Sequence, residues 1–429
     1  MKLRHSMVSL LLATLTLPRI VSAQPGTTVI TGLTVTTSPR ANGMGGTAAT
    51  LPSLDPAATI ANPGQLGLFS LDNLFSASTF TPKTEWAPAL FSTPENGFSI
   101  TTSAMNAGIN LKDVLSLPFG ASVGFGYSRT YWDLGTWPVF DSYGNPLGAI
   151  TMNDTYLQYS VGIGLEYVVR FGIGMNFKRI TSRMPTVGPA GQFVDNTITP
   201  SATDFGMMIN IPLVEVVSRT TGRSYPIAHV IKPFVDFTAV YVKSNVGDMV
   251  SYAGSLQSDP LPRTALLGLG VEGGLTAKAG NTDWRILSLA LVHQAEDVLV
   301  IRHNDGTSEY KGALGDLSIG ENLLIGRVTG NVLIRKGWEI GAGEFLSIRG
   351  GSVEGYGYDY STSGYSICLG GLVRFLEFAS PEIAGNPWAA FVGDHIDIQY
   401  HSATYGSTDS PLNGTTFKEL NLVLRGFPW

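Results

Sequence analysis

The chain has 429 residues, a formal net charge of −6 and 14% charged residues, where soluble domains carry roughly 25%. No basic stripe offsets the negative charge, which excludes a nucleic-acid partner, and 44% hydrophobic residues exclude disorder. Cys368 is the only cysteine, so it has no internal disulfide partner and reads as a free thiol.

In chain order, the first element is a leader. Met1-Lys2-Leu3-Arg4 is a basic start, residues 7–17 are uncharged and mostly apolar, and Val21-Ser22-Ala23 offers small residues for cleavage. Residues 1–23 are therefore expected to be a secretory signal peptide, with the mature chain beginning near Gln24. The remainder has no apolar run of about 20 residues, so a transmembrane helix is not expected.

Residues 24–65 lack sustained alternation and are rich in Thr, Gly, Ala and Pro. They contain Pro39-Arg40-Ala41-Asn42-Gly43-Met44-Gly45-Gly46, then Asp55-Pro56-Ala57-Ala58 and Asn62-Pro63-Gly64-Gln65-Leu66. Glycines at 43, 45 and 46 permit close backbone packing and positive φ, and Asn62-Pro63 starts a turn. A compact segment of this kind suits an inward-folded plug, with residues 43–46 against inward side chains such as Gln158 and Glu166. An ordinary N-terminal loop is the alternative.

From about residue 66 onward, strand-like runs succeed one another. Residues 157–167 place apolar or aromatic side chains at every odd position and Gly, Ser, Gln or Glu at every even one. That is a strand with one lipid-facing and one lumen-facing side. Runs at 119–127 and 171–177 repeat the pattern. Others lie near 66–80, 97–105, 203–213, 231–243, 264–277, 284–300, 318–328, 332–349, 363–378, 388–402 and 415–427, about fourteen altogether. The gaps at 168–170 and 279–282 are short. Those at 135–153, 183–200, 245–262, 301–317, 350–362 and 403–414 are long, as periplasmic turns and outer loops are. Segment 214–229 is long where a short turn is due. In the last run Leu420, Leu422 and Leu424 share one side, Glu419, Asn421 and Arg425 the other, and the chain ends Phe427-Pro428-Trp429. The pattern predicts an all-β transmembrane antiparallel barrel over residues 66–429 in a Gram-negative outer membrane.

Candidate chemistry is sparse. Asp394-His395-Ile396-Asp397 is the one acid–histidine cluster, with His395 and Asp397 expected on a shared polar side. A hydrated lumen strand explains it better than a general base. His293 and Asp297 lie in a strand pattern that brings no metal geometry, and His303-Asn304-Asp305-Gly306 reads as a turn. Tyr127, Tyr131, Trp132 and Trp137 are expected in an interfacial girdle. Tyr356, Tyr358, Tyr360 and Tyr365 suit either a girdle or a sticky outer loop.

The N-terminal motif resembles that of the FadL superfamily of outer-membrane barrels, and looks closest to the PorV/PorQ branch, which reads roughly R-x-x-x-M-G-G-A and then D-x-x-A-x-x-x-N-P-x-x-L. Arg40, Met44, Gly45, Gly46, Asp55, Ala58, Asn62, Pro63 and Leu66 carry the match, while Pro56 and Gly64 depart from it. Lys336-Gly337-Trp338-Glu339-Ile340-Gly341 and Ser347-Ile348-Arg349-Gly350-Gly351 also look like that branch. The resemblance implies a fourteen-stranded barrel with an N-terminal hatch and no enzyme or cofactor. Its implied partners are membrane lipids, the barrel assembly machinery, and either hydrophobic small molecules or, in a PorV-like accessory of type IX secretion, exported proteins.

Overall fold

The computed structural model describes residues 28–88, 97–112, 114–141, 143–187, 192–223, 225–227, 231–252, 258–279, 282–303, 305–355, 358–407 and 410–425. The expected signal peptide and the terminal Phe427-Pro428-Trp429 lie outside these residues.

The chain is a closed antiparallel barrel of 14 strands. They are β1 (Asn73–Phe80), β2 (Phe98–Asn110), β3 (Gly120–Phe140), β4 (Pro146–Glu166), β5 (Arg170–Arg183), β6 (Ser201–Pro212), β7 (Ile231–Val246), β8 (Thr264–Ala279), β9 (Thr282–Val298), β10 (Val332–Ala342), β11 (Leu346–Gly355), β12 (Tyr358–Cys368), β13 (Ile396–Gly406) and β14 (Thr416–Arg425). Each pairs with its sequence neighbours. β1 closes the ring by pairing with β14 (Ala77↔Leu422) and with β2 (Ala77↔Met105). Closure satisfies every edge, which a membrane requires because lipid offers backbone groups no partner.

Alternation decides the two faces. On β4, Tyr159, Val161, Ile163 and Leu165 stand exposed on the outside, while Gln158 and Ser160 are buried inside. Phe125, Phe177, Leu291, Ile348 and Leu422 continue the exposed apolar band around the barrel. A band of this extent is untenable in water and is what a bilayer demands.

Several expected runs change character. The run at 66–80 begins as helix: α3 (Gly64–Asp72) follows the short helices α1 (Pro39–Asn42) and α2 (Ala58–Ala61), and β1 starts only at Asn73. Short apolar runs do not distinguish a buried helix from a strand. Residues 213–221 form the exposed helix α4 (Leu213–Thr221) between β6 and β7, which accounts for the long gap there. The runs at 363–378 and 388–402 each divide between strand and helix, with α5 (Leu369–Ala379), α6 (Pro381–Ala384) and α7 (Pro387–His395) joining β12 to β13. The run at 332–349 is two strands around a tight turn in which Gly343 and Glu344 both take positive φ. Residues 318–328 are not a wall strand; Ile319–Leu324 is a π-helical turn in the 299–331 connection. The expected long loop at 135–153 is mostly an extension of the β3–β4 hairpin, with Asp141 capping its turn.

Candidate functional site: the filled lumen

The N-terminal residues from about 36 to 72 lie inside the barrel and are almost wholly buried. A glycine-lined trough holds α3 against the wall. Gly124 of β3, Gly162 and Gly164 of β4, Gly172 and Gly174 of β5 and Gly206 of β6 all point inward. A Cβ on any of them would overlap Asn62, Pro63, Gly64, Leu66 or Gly67. Small residues here let a helix backbone approach a sheet backbone. Hydrogen bonds fix the position: Ser122 Oγ donates to the Gly67 carbonyl (2.7 Å), and Asn110 Nδ2 to the Leu71 carbonyl (2.7 Å).

The opposite wall receives residues 43–46. Gly43 packs on Gly364, and its carbonyl accepts from Thr362 Oγ1 (3.1 Å). Met44 is buried with Leu51, Ala290 and Val292. Gly45 takes φ +72°, donates its N–H to Thr362 Oγ1 (2.8 Å), and stands where a Cβ would meet the Lys336 and Ser352 carbonyls at 2.6 Å. Gly46, at φ +77°, lies against Arg335, whose Nη1 donates to the Gly45 carbonyl (3.3 Å). The run therefore meets β10–β12. Gln158 and Glu166, its expected neighbours, instead bond Ser160 and Arg170.

Of the charged residues of the segment, Arg40 and Asp72 are ion-paired and Asp55 is held by hydrogen bonds. Arg40 forms a fork with Glu339 of β10 (Nη2–Oε1 2.8 Å, Nε–Oε2 3.2 Å) and donates to the Pro52 carbonyl (3.1 Å). Glu339 also pairs with Arg349 of β11. Burial works against the Arg40 charge, yet the Glu339 carboxylate holds the guanidinium above its ordinary range. Asp55 accepts from Ser38 Oγ and from the Ala57 N–H (2.7 Å). Burial pushes its carboxyl up, against those hydrogen bonds and the Arg40 charge. Asn62 spans the turn before α3, donating to the Ala49 carbonyl (2.8 Å) and accepting from the Gly64 N–H (2.9 Å). Pro63 precedes α3 and packs on Gly174 and Gly206.

The segment divides the lumen into two unlike halves. Toward the long connections, Trp86, Trp132, Tyr156, Tyr360, Tyr405 and Phe417 gather with aliphatic side chains and with Val29, Ile30, Leu33 and Val35. Trp86 meets Trp132 at 5.3 Å between centroids, and Tyr360 meets Tyr405 at 4.9 Å. Trp132 was expected in the lipid girdle, but its even position on β3 turns it inward. Tyr360 likewise faces the lumen, whereas Tyr365 faces out. Toward the short turns lies a cavity of 700 Å³ rimmed by Arg40, Arg170, Arg285, Arg349, Arg374 and Arg425 and by about as many carboxylates, with Cys368 on its wall.

The acid–histidine cluster is not a unit. His395 ends α7, while Asp397 is on β13, accepting from the Gly370 N–H (2.8 Å) and from Gln399 Nε2 (2.7 Å). His293 and Asp297 face outward on β9 beneath the 299–331 connection: Asp297 binds Lys311, and His293 Nε2 donates to the Asn322 carbonyl (3.0 Å). The sequence does not reveal that Glu339 pairs with Arg40 and Arg349, or that the lumen-facing wall glycines seat a helix. Their signal is membership of the lumen parity in an otherwise apolar strand.

No protein-family model matches the chain, and no curated protein matches it. Among solved structures it is similar to the Ralstonia pickettii toluene transporter TbuX, at 13% identity over 90% of this chain and 97% of that one, with a TM-score of 0.40. It is also similar to the Pseudomonas putida toluene transporter TodX (10%, 90% and 96%, 0.39). A third similar structure is the translocator domain of the autotransporter NalP from Neisseria meningitidis (11%, 83% and 88%, 0.38).

Proposed function

We propose that this chain is an outer-membrane transport barrel of the FadL-like kind, admitting lipophilic small molecules through a lumen that residues 28–72 close. The observation that carries the reading is the composition of the outer half of the lumen. A pore for hydrophilic solutes is lined with polar and charged groups. Here that half is packed with Trp, Tyr, Phe, Ile and Leu, a surface that wets poorly and exchanges contacts readily with an apolar solute. Release is then toward the charged, water-accommodating cavity beneath, or sideways into lipid. The roles of Arg40, Gly43, Met44, Gly45, Gly46, Asp55, Asn62 and Pro63 on this reading are to hold the hatch against the wall.

Uptake tests it. A Gram-negative host expressing the barrel should take up a labelled long-chain fatty acid or monoaromatic several-fold faster than the same host without it. Trp132→Arg, which puts a charge in the aromatic layer, should abolish the gain. Unchanged uptake with a barrel verified as folded would overturn the reading. One observation favours the PorV-like alternative, capture of exported proteins: the β3–β4 hairpin tip presents Phe140 and Tyr143, the latter 89% exposed. Retention of exported proteins that is lost on Tyr143→Ser would support it.

A further inference from the structure

The outward side chains of β7–β10 leave a groove of 640 Å³ on the lipid-facing surface. Its floor and sides are Phe237, Leu269, Val271, Leu291 and Trp338. Its upper end is different. His293 and Lys336 stand directly opposite each other in the β9–β10 register. Both reach Gly326 of the 299–331 connection: a Cβ there would stand 3.0 Å from His293 Cε1 and 3.4 Å from Lys336 Cε. Above them the connection packs on the wall, burying Leu299, Leu317, Ala295 and Ile334 together. So His293 and Lys336 mark the upper edge of the apolar band at this sector. The connection also turns Ile319, Leu324 and Ile325 outward, at 58%, 68% and 75% exposure.

We infer that this groove binds a phosphate-bearing membrane lipid, with an acyl chain along Leu291 and Trp338 and the phosphate at Lys336. The inference rests on the membrane placement proposed above, because an apolar groove on a bilayer-facing wall is filled by chains. The headgroup assignment follows from charge. Lys336 is 43% exposed, and its nearest carboxylate, Glu354, is 3.6 Å away and also 41% exposed. Such a pair is weak. An anionic headgroup at the same depth competes for the ammonium, and a lysine near a membrane surface contributes about 1 kcal/mol to that attraction. His293, already donating to Asn322, holds the connection in place as the far side of the headgroup position.

Native mass spectrometry of the full mature chain in mild detergent tests this, with phosphatidylglycerol or phosphatidylcholine added. The intact barrel should retain one phosphatidylglycerol, about fivefold in preference to phosphatidylcholine, the ratio that one such charge supplies. Lys336→Gln should remove the preference, and Lys112→Gln, in an exposed turn at the other end, should leave it. Equal retention of the two lipids by the unaltered chain would overturn the proposal, and that comparison decides it even if a variant fails to fold. So would an undiminished preference in Lys336→Gln. A chain whose gel migration does not shift on heating and which stays in the aqueous phase would instead refute the membrane placement.

Discussion

Glu339 shows what one side chain contributes. It stands between Arg40 of the N-terminal segment and Arg349 of the wall, and all three are largely buried. Its neutralisation leaves two guanidiniums without their counter-charge, and breaking a buried pair typically costs about 3–5 kcal/mol. Glu339→Gln should therefore lower the free energy of unfolding in lipid vesicles by about 3–5 kcal/mol, obtained from urea titration followed by tryptophan fluorescence. A loss below about 1 kcal/mol would mean that the network does not hold the segment. Arg40 was legible in the sequence because it sits in a recognisable motif. Its partner was not, since the two are 299 residues apart and only the closed barrel brings them together. Asn62 was legible for a local reason: its side chain bonds within its own turn.

For the elements, parity was legible and helix ends were not. The odd positions of β4 face out as the alternation predicts, because one-residue register errors would bury every polar side chain in lipid. Val161→Arg should cost about 2–4 kcal/mol near the bilayer midplane. Tyr143→Arg, at the exposed tip of the same hairpin, should stay within about 0.5 kcal/mol. Equal costs would disprove the assigned faces. The wall glycines were read as lumen-facing, yet their purpose was hidden until α3 was seen lying on them. Gly164→Val forces a side chain into the Gly67 backbone, and overpacking of this sort costs about 1–3 kcal/mol. At Gly273 an added Cβ meets only ordinary contacts, the nearest 3.4 Å away, so Gly273→Val should be mild. Matching unfolding midpoints for the two variants would show that the trough is not tightly packed. Helix α3 itself escaped the sequence reading because its face toward the wall is small and its surroundings are buried on every side, which erases the period that marks a surface helix.

The whole molecule was legible in outline, with one compensation. The expected run at 318–328 is absent from the wall, and the run at 332–349 supplies two strands, so the number of strands agrees although two of its parts differ. The turn at Gly343 and Glu344 interrupts an alternation that contains no proline or asparagine to announce it. The extended β3–β4 hairpin replaces an expected loop at 135–153, and the folded 299–331 connection replaces an expected loop at 301–317 and an expected strand at 318–328, since the structure of both depends on packing that local pattern does not show. What the complete barrel adds is occupancy of the lumen, with an apolar half toward the long connections, a charged half toward the short turns and the N-terminal segment between them. The central claim is that this segment closes the barrel, and planar-bilayer conductance tests it most directly. The full mature chain should show little ion conductance, and deletion of residues 28–63, in a barrel whose heat-modifiable migration shows it is folded, should open a large and steady pore. Equal conductance before and after the deletion would contradict the account.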